Sequence, residues 1–465
     1  MLNNLEVIIL AAGKGSRMRS TLPKVLHTLA GRPLLQHVIE RALQLESQKT
    51  HVVYGHGGEA VPAALDQFAI DWVEQSEQLG TGHAVEQVMP HVDDHATVLV
   101  LYGDVPLIEL DTLQQLIAMS DGSKLSLLTL KLENPQGYGR IVRSQNGAIE
   151  AIVEEKDATD LQRTICEVNS GIMALPAKQL RGWLSRLESN NAQGEFYLTD
   201  VIAMAVADGV EVSGLITEDS YQVAGINTRN QLATLERHYQ LKQAEKLMEQ
   251  GVTLRDPARI DIRGEIGREI NIAADVTIDI NVILEGHIEI SGGCTVGANC
   301  LLRNARLGQG VTIEAMSHVE DATIDEQCSV GPFARLRPGT HMHPHAKVGN
   351  FVEVKKSDIG EGSKVSHLSY IGDTTMGSNV NIGAGTITCN YDGVNKHQTI
   401  IGDNAFIGSD SQLIAPVTVG AGATIGAGSS ISRDAPDEQL TLTRTQQKSI
   451  KWRRPAKGKP SKDKS

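Results

Sequence analysis

The sequence predicts an α/β domain, then a connecting helix, then a solenoid built from short parallel strands. Residues 1–227 alternate apolar runs of strand length with helical patterns, and residues 228–250 contain neither Gly nor Pro. In residues 251–437 an aliphatic residue recurs at every sixth position. The chain of 465 residues is long enough for such an arrangement, at roughly 150 residues per domain.

The first region has the pattern of strands that alternate with helices. Four apolar runs have the length of buried strands: Val7–Ala12, His51–Tyr54, Thr97–Tyr102 and Leu125–Leu130. Between them, Pro33–Leu45 and Leu110–Met119 have apolar residues at the spacing of an α-helix. This alternation is typical of a mostly parallel sheet that is covered by helices.

A single amphipathic helix is predicted over residues 228–250. Leu232, Leu235, Tyr239 and Met248 recur at helical spacing, and Gly251 follows as a stop signal. We therefore predict a domain over 1–227, a linker helix over 228–250, a second domain over 251–437 and a C-terminal segment over 438–465.

The second domain is rich in glycine and has a period of six. It holds 25 of the 45 glycines, and its longest aliphatic runs extend from Ile266 to Leu302 and from Ile407 to Ile431, with phase slips between them. A period of six fits neither an α-helix nor an isolated strand. It fits a parallel β-helix with three flat faces, in which one aliphatic residue per face points inward, at about 18 residues per coil and about ten coils.

The composition argues against a nucleic-acid coat protein. The chain has 43 Lys and Arg against 56 Asp and Glu, a formal net charge of −13, and only 3% aromatic residues. Binding along nucleic acids needs clustered cations and aromatic stacking platforms. We expect the basic tail from Lys448 to be solvated and to bind no nucleic acid.

Cysteine use and hydropathy predict a cytoplasmic protein with reduced thiols. The five cysteines form no Cys-x-x-Cys pair, which argues against a disulfide framework or a zinc knuckle. No apolar run approaches the roughly 18 residues of a membrane span. The N-terminus has no Lys or Arg before its apolar run, so it is not a signal peptide.

The loop after the first strand has the residues of a phosphate site. Gly13 and Gly15 allow the backbone to approach a ligand closely, and Lys14, Arg17 and Lys24 add positive charge. The sequence is neither a Walker loop nor Gly-x-Gly-x-x-Gly.

An acidic residue follows the strand Thr97–Tyr102. Asp104 comes two residues after it, at the edge where parallel sheets hold ligands. Carboxylate oxygens suit Mg²⁺ that bridges substrate phosphates. We therefore expect a magnesium site here.

Charged residues interrupt the solenoid in consecutive coils. Arg337 and Lys355 suit a phosphate, and His367 suits a general base near neutral pH. Residues 386–398 break the period of six, so we predict an external loop that reaches a ligand.

Three histidines alternate in the run HMHPH. His341, His343 and His345 have no Cys or acid beside them to complete a zinc site, so we interpret the run as a solvated loop.

The motifs together resemble one enzyme family. LAAGKGSRM with LPKVLH resembles sugar-phosphate nucleotidyltransferases, and GPFARLRPG, VGNFVEVKK, SHLSYIGD and NIGAGTITCNYDG occur in the second domain. Residues 3–454 are similar to the GlmU family, the bacterial N-acetylglucosamine-1-phosphate uridyltransferases/glucosamine-1-phosphate acetyltransferases. The resemblance implies a left-handed parallel β-helix, a homotrimer with the second site at subunit boundaries, and a cytoplasmic enzyme of cell-wall precursor synthesis.

The resemblance also implies substrates and site residues. The substrates are glucosamine-1-phosphate, acetyl-CoA, N-acetylglucosamine-1-phosphate and UTP, with Mg²⁺ on Asp104 and Asn227. The nucleotide and UDP-sugar contacts that the resemblance implies are Leu10, Ala11, Ala12, Gly13, Lys24, Gln75, Gly80, Thr81, Tyr102, Gly103, Asp104, Gly139, Glu154, Asn169 and Asn227. Arg17 and Lys24 act on the pyrophosphate.

In the second domain the resemblance makes His367 the catalytic base. The implied sugar-phosphate contacts are Arg337, Lys355, Tyr370 and Asn381. The implied contacts on the acetyl-CoA side are Ala384, Asn390, Tyr391, Ser409, Ala427 and Arg444.

Two other functions compete with this one. The first is a sugar-1-phosphate nucleotidyltransferase with a single activity, in which the hexapeptide domain is regulatory. In that case Arg337, Lys355 and His367 would have no role. A noncatalytic scaffold with the same two domains leaves Lys24 and Asp104 unused. Separate assays of acetyl-CoA and UTP turnover distinguish the three.

Overall fold

A computed structural model describes residues 4–13, 15–55 and 58–453. The chain divides into two compact units, Met1–Glu245 with Ile262–Gly264, and Lys246–Asp261 with Glu265–Ser465. The division falls inside a helix, Arg229–Glu249, in the stretch predicted as the linker. Lys14 and the tail after residue 453 lie outside the described residues.

The first unit alternates strands and helices, as predicted. Its strands are β1 (Leu5–Leu10), β2 (Thr28–Leu29), β3 (Arg32–Pro33), β4 (Lys49–Gly55), β5 (Asp71–Gln75), β6 (Thr97–Tyr102), β7 (Leu125–Lys131), β8 (Arg140–Arg143), β9 (Ile149–Val153), β10 (Glu167–Pro176) and β11 (Val212–Thr217). Its helices are α1 (Leu34–Leu43), α2 (Ala60–Ala64), α3 (Thr81–Val88), α4 (Leu110–Ser120), α5 (Asp160–Arg163), α6 (Ala177–Leu184), α7 (Asp200–Ala207) and the start of α8 (Arg229–Glu249). Short helical turns lie at Ser16–Met18, Lys24–Leu26, Met89–His91 and Ser220–Val223.

The strands form one mixed sheet in the order β11-β7-β10-β6-β1-β4-β5, with β8 paired to β10 and β9 paired to β8. All neighbouring pairs along this path are parallel except the two that involve β10. The chain builds outward from β1 through β4 and β5, then crosses to β6 on the other side of β1. The carboxyl ends of β1 and β6 therefore flank a topological switch point, where α/β sheets bind ligands.

Both faces of this sheet are buried. In β1, Val7 and Ile9 pack into a core with α1 and α4, whereas Ile8 and Leu10 pack into a second core with α3, α6 and α7. This explains why the central strands are almost continuous apolar runs in the sequence.

The second unit is a parallel β-helix with three rows of strands, which confirms the predicted solenoid. The first row consists of Thr253–Leu254, Thr277–Ile278, Thr295–Val296, Thr312–Ile313, Ser329–Val330, Lys347–Asn350, Lys364–His367, Asn381–Ile382, Phe406–Ile407, Thr424–Ile425 and Leu440–Thr441. Long strands that serve two rows are Val282–Ile290, Leu301–Leu307 and His318–Ile324. The second row continues through Arg335–Leu336, Glu353–Lys355, Tyr370–Gly372, Ile387–Cys389, Gln412–Ile414 and Ser430–Ile431. The third continues through Thr340–Met342, Asp358–Ile359, Thr374–Met376, Thr399–Ile401 and Val417–Val419. The unit also contains Ile270–Ile272 and the turn Pro257–Arg259, and the strand Ile260–Arg263 spans the division.

The aliphatic residues of the sixfold pattern form the core of the β-helix. Every member of the predicted runs is buried except Ile266, which is half-buried. Thr277 pairs with Thr295, but Thr295 pairs with Thr312, so that coils of 18 and 17 residues both occur. The shorter coils account for the phase slips in the sequence. The strand Leu440–Thr441 extends the first row beyond the boundary predicted at residue 437.

The helix α8 differs from its predicted pattern at one end. Leu235 and Tyr239 are buried, as their spacing suggested. Met248, however, is exposed, and its neighbour Leu247 is buried instead. In the part of the chain that the structure describes, no helix is both long and apolar enough to cross a membrane.

Two adjacent isoleucines test how much the inward rows stabilise the β-helix. Ile401 is 1% exposed and faces the core, whereas Ile400 is 43% exposed. Replacing Ile401 by Ala removes buried apolar volume and should lower the free energy of unfolding by about 2–5 kcal/mol.

The matched control is Ile400→Ala, which should cost less than about 1 kcal/mol, since this side chain faces outward and leaves no buried cavity when it is shortened. Denaturant unfolding of both variants measures the difference. Equal losses would contradict the assignment of inward and outward faces.

Candidate functional site

A cleft of about 340 Å³ opens in the first unit at the carboxyl ends of β1 and β6. Nine of the predicted nucleotide contacts line it: Leu10, Ala12, Gly13, Lys24, Gln75, Gly80, Thr81, Tyr102 and Asp104. Leu10 and Tyr102 are paired across the two strands, and the Gly103 N–H donates to the Leu10 carbonyl at 2.9 Å. The topological switch point therefore brings together segments that are far apart in sequence.

The loop after β1 packs tightly against Lys24. Gly15 has a φ of 61°, which non-glycine residues rarely adopt, and a Cβ there would lie 2.7 Å from the Lys24 Cβ. The chain then forms the turn Ser16–Met18, which carries Arg17. Gly15 is thus required both for the backbone conformation and for the approach of the loop to Lys24.

Two cations and two oxygen acceptors meet around Asp104, at the edge of this cleft. The Lys24 ammonium contacts the Asp104 carboxylate and donates to Asn227 Oδ1 at 3.2 Å. The Arg17 guanidinium donates to the same Asn227 oxygen at 3.1 Å. The Ile226 N–H donates to the Asp104 carbonyl at 2.9 Å, and this bond holds Asn227 beside Asp104.

Asp104 and Asn227 fit a divalent cation. Both present a hard oxygen donor to the single ammonium of Lys24, so the two oxygens already converge on one positive charge.

Gln75 is positioned to accept a hydrogen bond from a ligand. Its side chain is buried, and its amide nitrogen donates to the Gly80 carbonyl at 3.1 Å. Because a carbonyl can only accept, this bond fixes the orientation of the amide and leaves Oε1 as an acceptor. Gly80 has a φ of 120° and is the N-cap residue of α3, and a Cβ there would lie 2.6 Å from the Phe196 carbonyl oxygen.

Glu154, Gly139 and Asn169 form a second group beside Tyr102, outside the residues that line the cleft. The Asn169 N–H donates to the Gly139 carbonyl at 2.9 Å, and the Thr199 hydroxyl donates to Glu154 Oε1 at 3.0 Å. Burial raises the pKa of Tyr102, and the charges of Glu154 and Asp104 raise it further. Tyr102 therefore stays a neutral hydroxyl between two carboxylates.

The cleft contains residues that the sequence did not reveal. Val25, Gln78, Ala84 and Glu195 line it together with the predicted contacts. The Gln78 amide donates to the Ala12 carbonyl, which ties two cleft loops together. Glu195 lies in a loop of ordinary composition, and no spacing signal marks it. In contrast, Ala11 is buried and Arg17 is not part of the lining.

In the second unit, the predicted base and part of the acetyl-CoA side share one corner of the β-helix. His367 is paired with Asn350, and the same register continues from Lys364 through Asn381, Phe406 and Thr424. The residues that follow these positions by three are His367, Ala384, Ser409 and Ala427. They therefore stack in consecutive coils, and His367 is exposed. The Arg444 guanidinium lies at the same end, 3.3 Å from where a Cβ on Gly426 would stand.

A cluster of charges covers the second row of strands beside this corner. The Arg337 guanidinium donates to Glu353 at 2.7 Å. The neighbouring Lys396, together with burial and Arg337, lowers the pKa of Lys355 against the opposing effect of Asp373. Several cations crowded together in this way favour a bound anion.

Tyr370 and Asn390 adjoin the charge cluster. The Asn390 amide donates to Asp373 at 2.5 Å and lies 3.5 Å from the Tyr370 hydroxyl. Tyr391 is 60% exposed, and its hydroxyl donates to the Gly393 carbonyl within its own loop. Glu353 and Asp373 were missed by the sequence analysis, because their position depends on the coil register.

The external loop is shorter than predicted. Ile387–Cys389 is a strand of the second row, so only residues 390–398 leave the β-helix. Tyr391 and Lys396 form an antiparallel bridge inside this excursion. Its extra residues explain why Asn381 pairs with Phe406 across 25 positions.

Within a single chain, His367 and the charge cluster lie on different rows of the β-helix. His367 is opposite Asn350, whereas Lys355 is opposite Gly372, five residues farther along the coil. Asn381 lies on the first row, in the strand next to that of His367.

Replacing Glu154 by Gln should make the free energy of unfolding less dependent on pH. Burial raises the pKa of Glu154 above its ordinary 4.5, so the folded state holds this proton more tightly than the unfolded state does. Ionisation of the wild-type side chain therefore lowers the free energy of unfolding as the pH rises from the pKa of Glu154 in the unfolded state through its higher pKa in the folded state. Glu154→Gln should gain stability relative to the wild type over the same window, as measured by denaturant unfolding.

Glu155→Gln is the control of opposite sign. A hydrogen bond from Arg140 lowers the pKa of Glu155, so its contribution is present at neutral pH and is lost in acid. This variant should be the less stable one at neutral pH and approach the wild type as the pH falls. Parallel pH profiles for both variants would contradict the two assignments.

Comparisons with known proteins agree with both units. Residues 7–164 match the model of the MobA-like NTP transferase domain, and residues 398–433 match six repeats of the bacterial transferase hexapeptide. The chain is 55% identical over 452 residues to the bifunctional protein GlmU of Alkalilimnicola ehrlichii, covering 97% of this chain and 96% of that protein. It is 55% identical to that of Aromatoleum aromaticum and 54% to that of Nitrosospira multiformis, each over 98% of this chain and 99% of the relative. The chain therefore belongs to the GlmU family of bifunctional proteins.

Proposed function

We propose that this chain synthesises UDP-N-acetylglucosamine in two steps. It transfers an acetyl group from acetyl-CoA to glucosamine-1-phosphate, and then a uridylyl group from UTP to N-acetylglucosamine-1-phosphate. The observation that carries the proposal is the presence of two chemically distinct sites, one in each unit of a chain that is similar to bifunctional relatives along its whole length. A regulatory role for the β-helix would leave the charge cluster and His367 without a task.

In the first reaction, the second unit supplies a base and an anion site. Arg337 and Lys355 hold the phosphate, and Tyr370 and Asn381 position the sugar. His367 accepts a proton from the 2-ammonium group, and the free amine then attacks the thioester carbonyl carbon. A C–N bond forms and the C–S bond breaks. CoA leaves as a thiolate, which takes up the proton that the new amide nitrogen releases. The acetyl-CoA side is formed by Ala384, Asn390, Tyr391, Ser409, Ala427 and Arg444.

In the second reaction, the first unit mainly provides positioning and charge. A phosphate oxygen of N-acetylglucosamine-1-phosphate attacks the α-phosphorus of UTP, a new P–O bond forms, and pyrophosphate leaves. Lys24 and Arg17 stabilise the negative charge that develops on the phosphates. Gln75, Gly80 and Thr81 hold the uracil ring, while Gly139, Glu154 and Asn169 hold the sugar.

Asp104 and Asn227 would hold Mg²⁺ in this site. When bound, the ion neutralises phosphate charge and orients the phosphates for displacement. The convergence of their oxygens on the Lys24 ammonium supports this assignment.

Two variants should separate the two activities. His367→Ala removes the base and should lower acetyl transfer about 10²–10⁴-fold. Asp104→Ala removes one charged ligand and should lower uridylyl transfer about 10²–10³-fold. CoA and pyrophosphate release are measured separately, each with its own purified sugar phosphate.

Each variant is the control for the other. His367→Ala should form pyrophosphate at the wild-type rate, and Asp104→Ala should release CoA at the wild-type rate. Loss of both activities in one variant would contradict two independent sites, and retained acetylation in His367→Ala would refute the assignment of the base.

We also propose that the chain forms a homotrimer in the cytoplasm with a left-handed coil. Met316, Phe333, Phe351 and Leu368 form an apolar ridge along one corner, and each is about half exposed. The rings of Phe333 and Phe351 stack with centroids 5.2 Å apart. Contiguous exposed apolar side chains are typical of interfaces, and Leu368 of this ridge directly follows His367. A neighbouring subunit could therefore complete the acetyl-transfer site.

Phe351→Asp should dissociate the trimer and lower acetyl transfer with little effect on uridylyl transfer. The position has a φ of 55°, which Asp adopts more readily than Phe, so the fold should be preserved. Sedimentation measures the mass, and Leu161→Asp, at an exposed apolar residue of the first unit, is the control. A trimer that survives Phe351→Asp would exclude the ridge as the interface.

A further inference from the structure

The run HMHPH is only in part the solvated loop that its sequence suggested, because His341 and Met342 lie in a strand and residues 343–345 form the turn after it. Thr340–Met342 is a strand of the third row, paired with His318–Ile324 on one side and Asp358–Ile359 on the other. Asp325 directly follows the first of these neighbours. The coil register therefore places an acidic side chain beside the histidines, although Asp325 lies 16 residues before His341.

Three potential metal ligands converge on this face. His341 Nε2 lies 2.9 Å from Asp325 Oδ2, and His343 Nδ1 lies 3.8 Å from the same oxygen. The two imidazole rings are 4.1 Å apart between centroids. All three donor atoms lie within 4.8 Å of one another. Donor atoms around one tetrahedral ion with bonds near 2.0–2.2 Å lie about 3.3–3.6 Å apart, so small side-chain rotations bring all three to one ion.

The backbone that carries these ligands is held on both sides. The Asp325 N–H donates to the Met342 carbonyl at 2.8 Å, and the His343 N–H donates to the Ile359 carbonyl at 2.9 Å. His341 lies in a strand, and these two bonds continue the strand pairing one residue past the strand ends, at Asp325 and His343. Backbone that is paired in this way positions ligands more rigidly than an unpaired loop does.

A further carboxylate is placed to orient one ligand. Asp358 lies 3.8 Å from His341 Nδ1, on the opposite side of the ring from Asp325. If a metal replaces the proton on Nε2, the proton moves to Nδ1 and faces Asp358. An outer carboxylate that accepts from a metal-bound histidine is a common feature of such sites.

We propose that His341, His343 and Asp325 bind a divalent transition-metal ion of the Zn²⁺ class. Two imidazole nitrogens select such ions over Mg²⁺, which prefers oxygen ligands. The three side chains are between 31% and 39% exposed, so water can fill the remaining coordination positions. The site lies on the third row of strands, whereas the charge cluster of the proposed acetyl-transfer site lies on the second.

Calorimetric titration of the chelator-treated full-length chain with ZnCl₂ tests the proposal. Excess MgCl₂ keeps the site at Asp104 occupied, so that zinc uptake there does not contribute. The wild type should bind one Zn²⁺ per chain. His341→Ala and His343→Ala should each weaken binding by at least about 10²-fold, and Asp358→Asn by about 10–100-fold.

His345→Asn is the matched control in the same run. His345 is exposed and has a φ of 61°, which Asn tolerates, so this variant should bind zinc like the wild type. Co²⁺ absorbance provides a second readout, since the spectrum of a nitrogen-ligated ion should be lost in His341→Ala and kept in His345→Asn. Asp358→Asn leaves all three ligands in place, and it tests the site even if a histidine variant folds poorly.

The proposal is overturned if the wild type takes up no more zinc than a His341→Ala/His343→Ala double variant. It is also overturned if His345→Asn weakens binding as much as His341→Ala does. In either case the three side chains would be only a hydrogen-bonded surface cluster.

Discussion

Main-chain hydrogen bonding between successive coils is the constraint on which the second unit depends. Most strands are paired with residues 17 or 18 positions away, as in Thr295↔Thr312 and Lys347↔Lys364, so residues at equivalent positions must stack. The inward aliphatic residues supply the burial that stabilises this pairing. The same register stacks His367, Ala384 and Ser409 along one corner and sets the spacing of the charge cluster on the next face. The chemistry proposed for this unit is therefore a consequence of its coil length.

The first unit depends on a different arrangement, the crossing of the chain at β1. Because β6 lies beside β1, residues after the two strands share one cleft, although Lys24 and Asp104 are 80 positions apart. Both side chains are mostly buried. The hydrogen bond from the Ile226 N–H to the Asp104 carbonyl places Asn227 next to them. The contact between the Lys24 ammonium and the Asp104 carboxylate holds both groups in place before phosphates bind, so that neither has to be reoriented during the reaction.

Local patterns in the sequence were sufficient to predict most of the fold. Apolar runs such as Thr97–Tyr102 and the sixfold aliphatic pattern record burial directly, because each inward position must be apolar. These local patterns did not predict residues whose neighbours are set by the coil register or by a loop rather than by the adjacent sequence. Asp325 meets His341 only because one coil is stacked on the next, and Glu195 reaches the cleft through a loop without any periodic signal. Met248 was misassigned because helical spacing alone does not distinguish it from its buried neighbour Leu247.

The excursion over residues 390–398 has a wider consequence. The coil that contains it uses 25 positions where its neighbours use 17 or 18, yet the strands before and after it remain in register. Corners of this β-helix thus tolerate additional chain without loss of order in the stack. Evolution, or a protein engineer, can accordingly diversify a binding surface by lengthening one corner, while the rungs above and below continue to dictate the architecture.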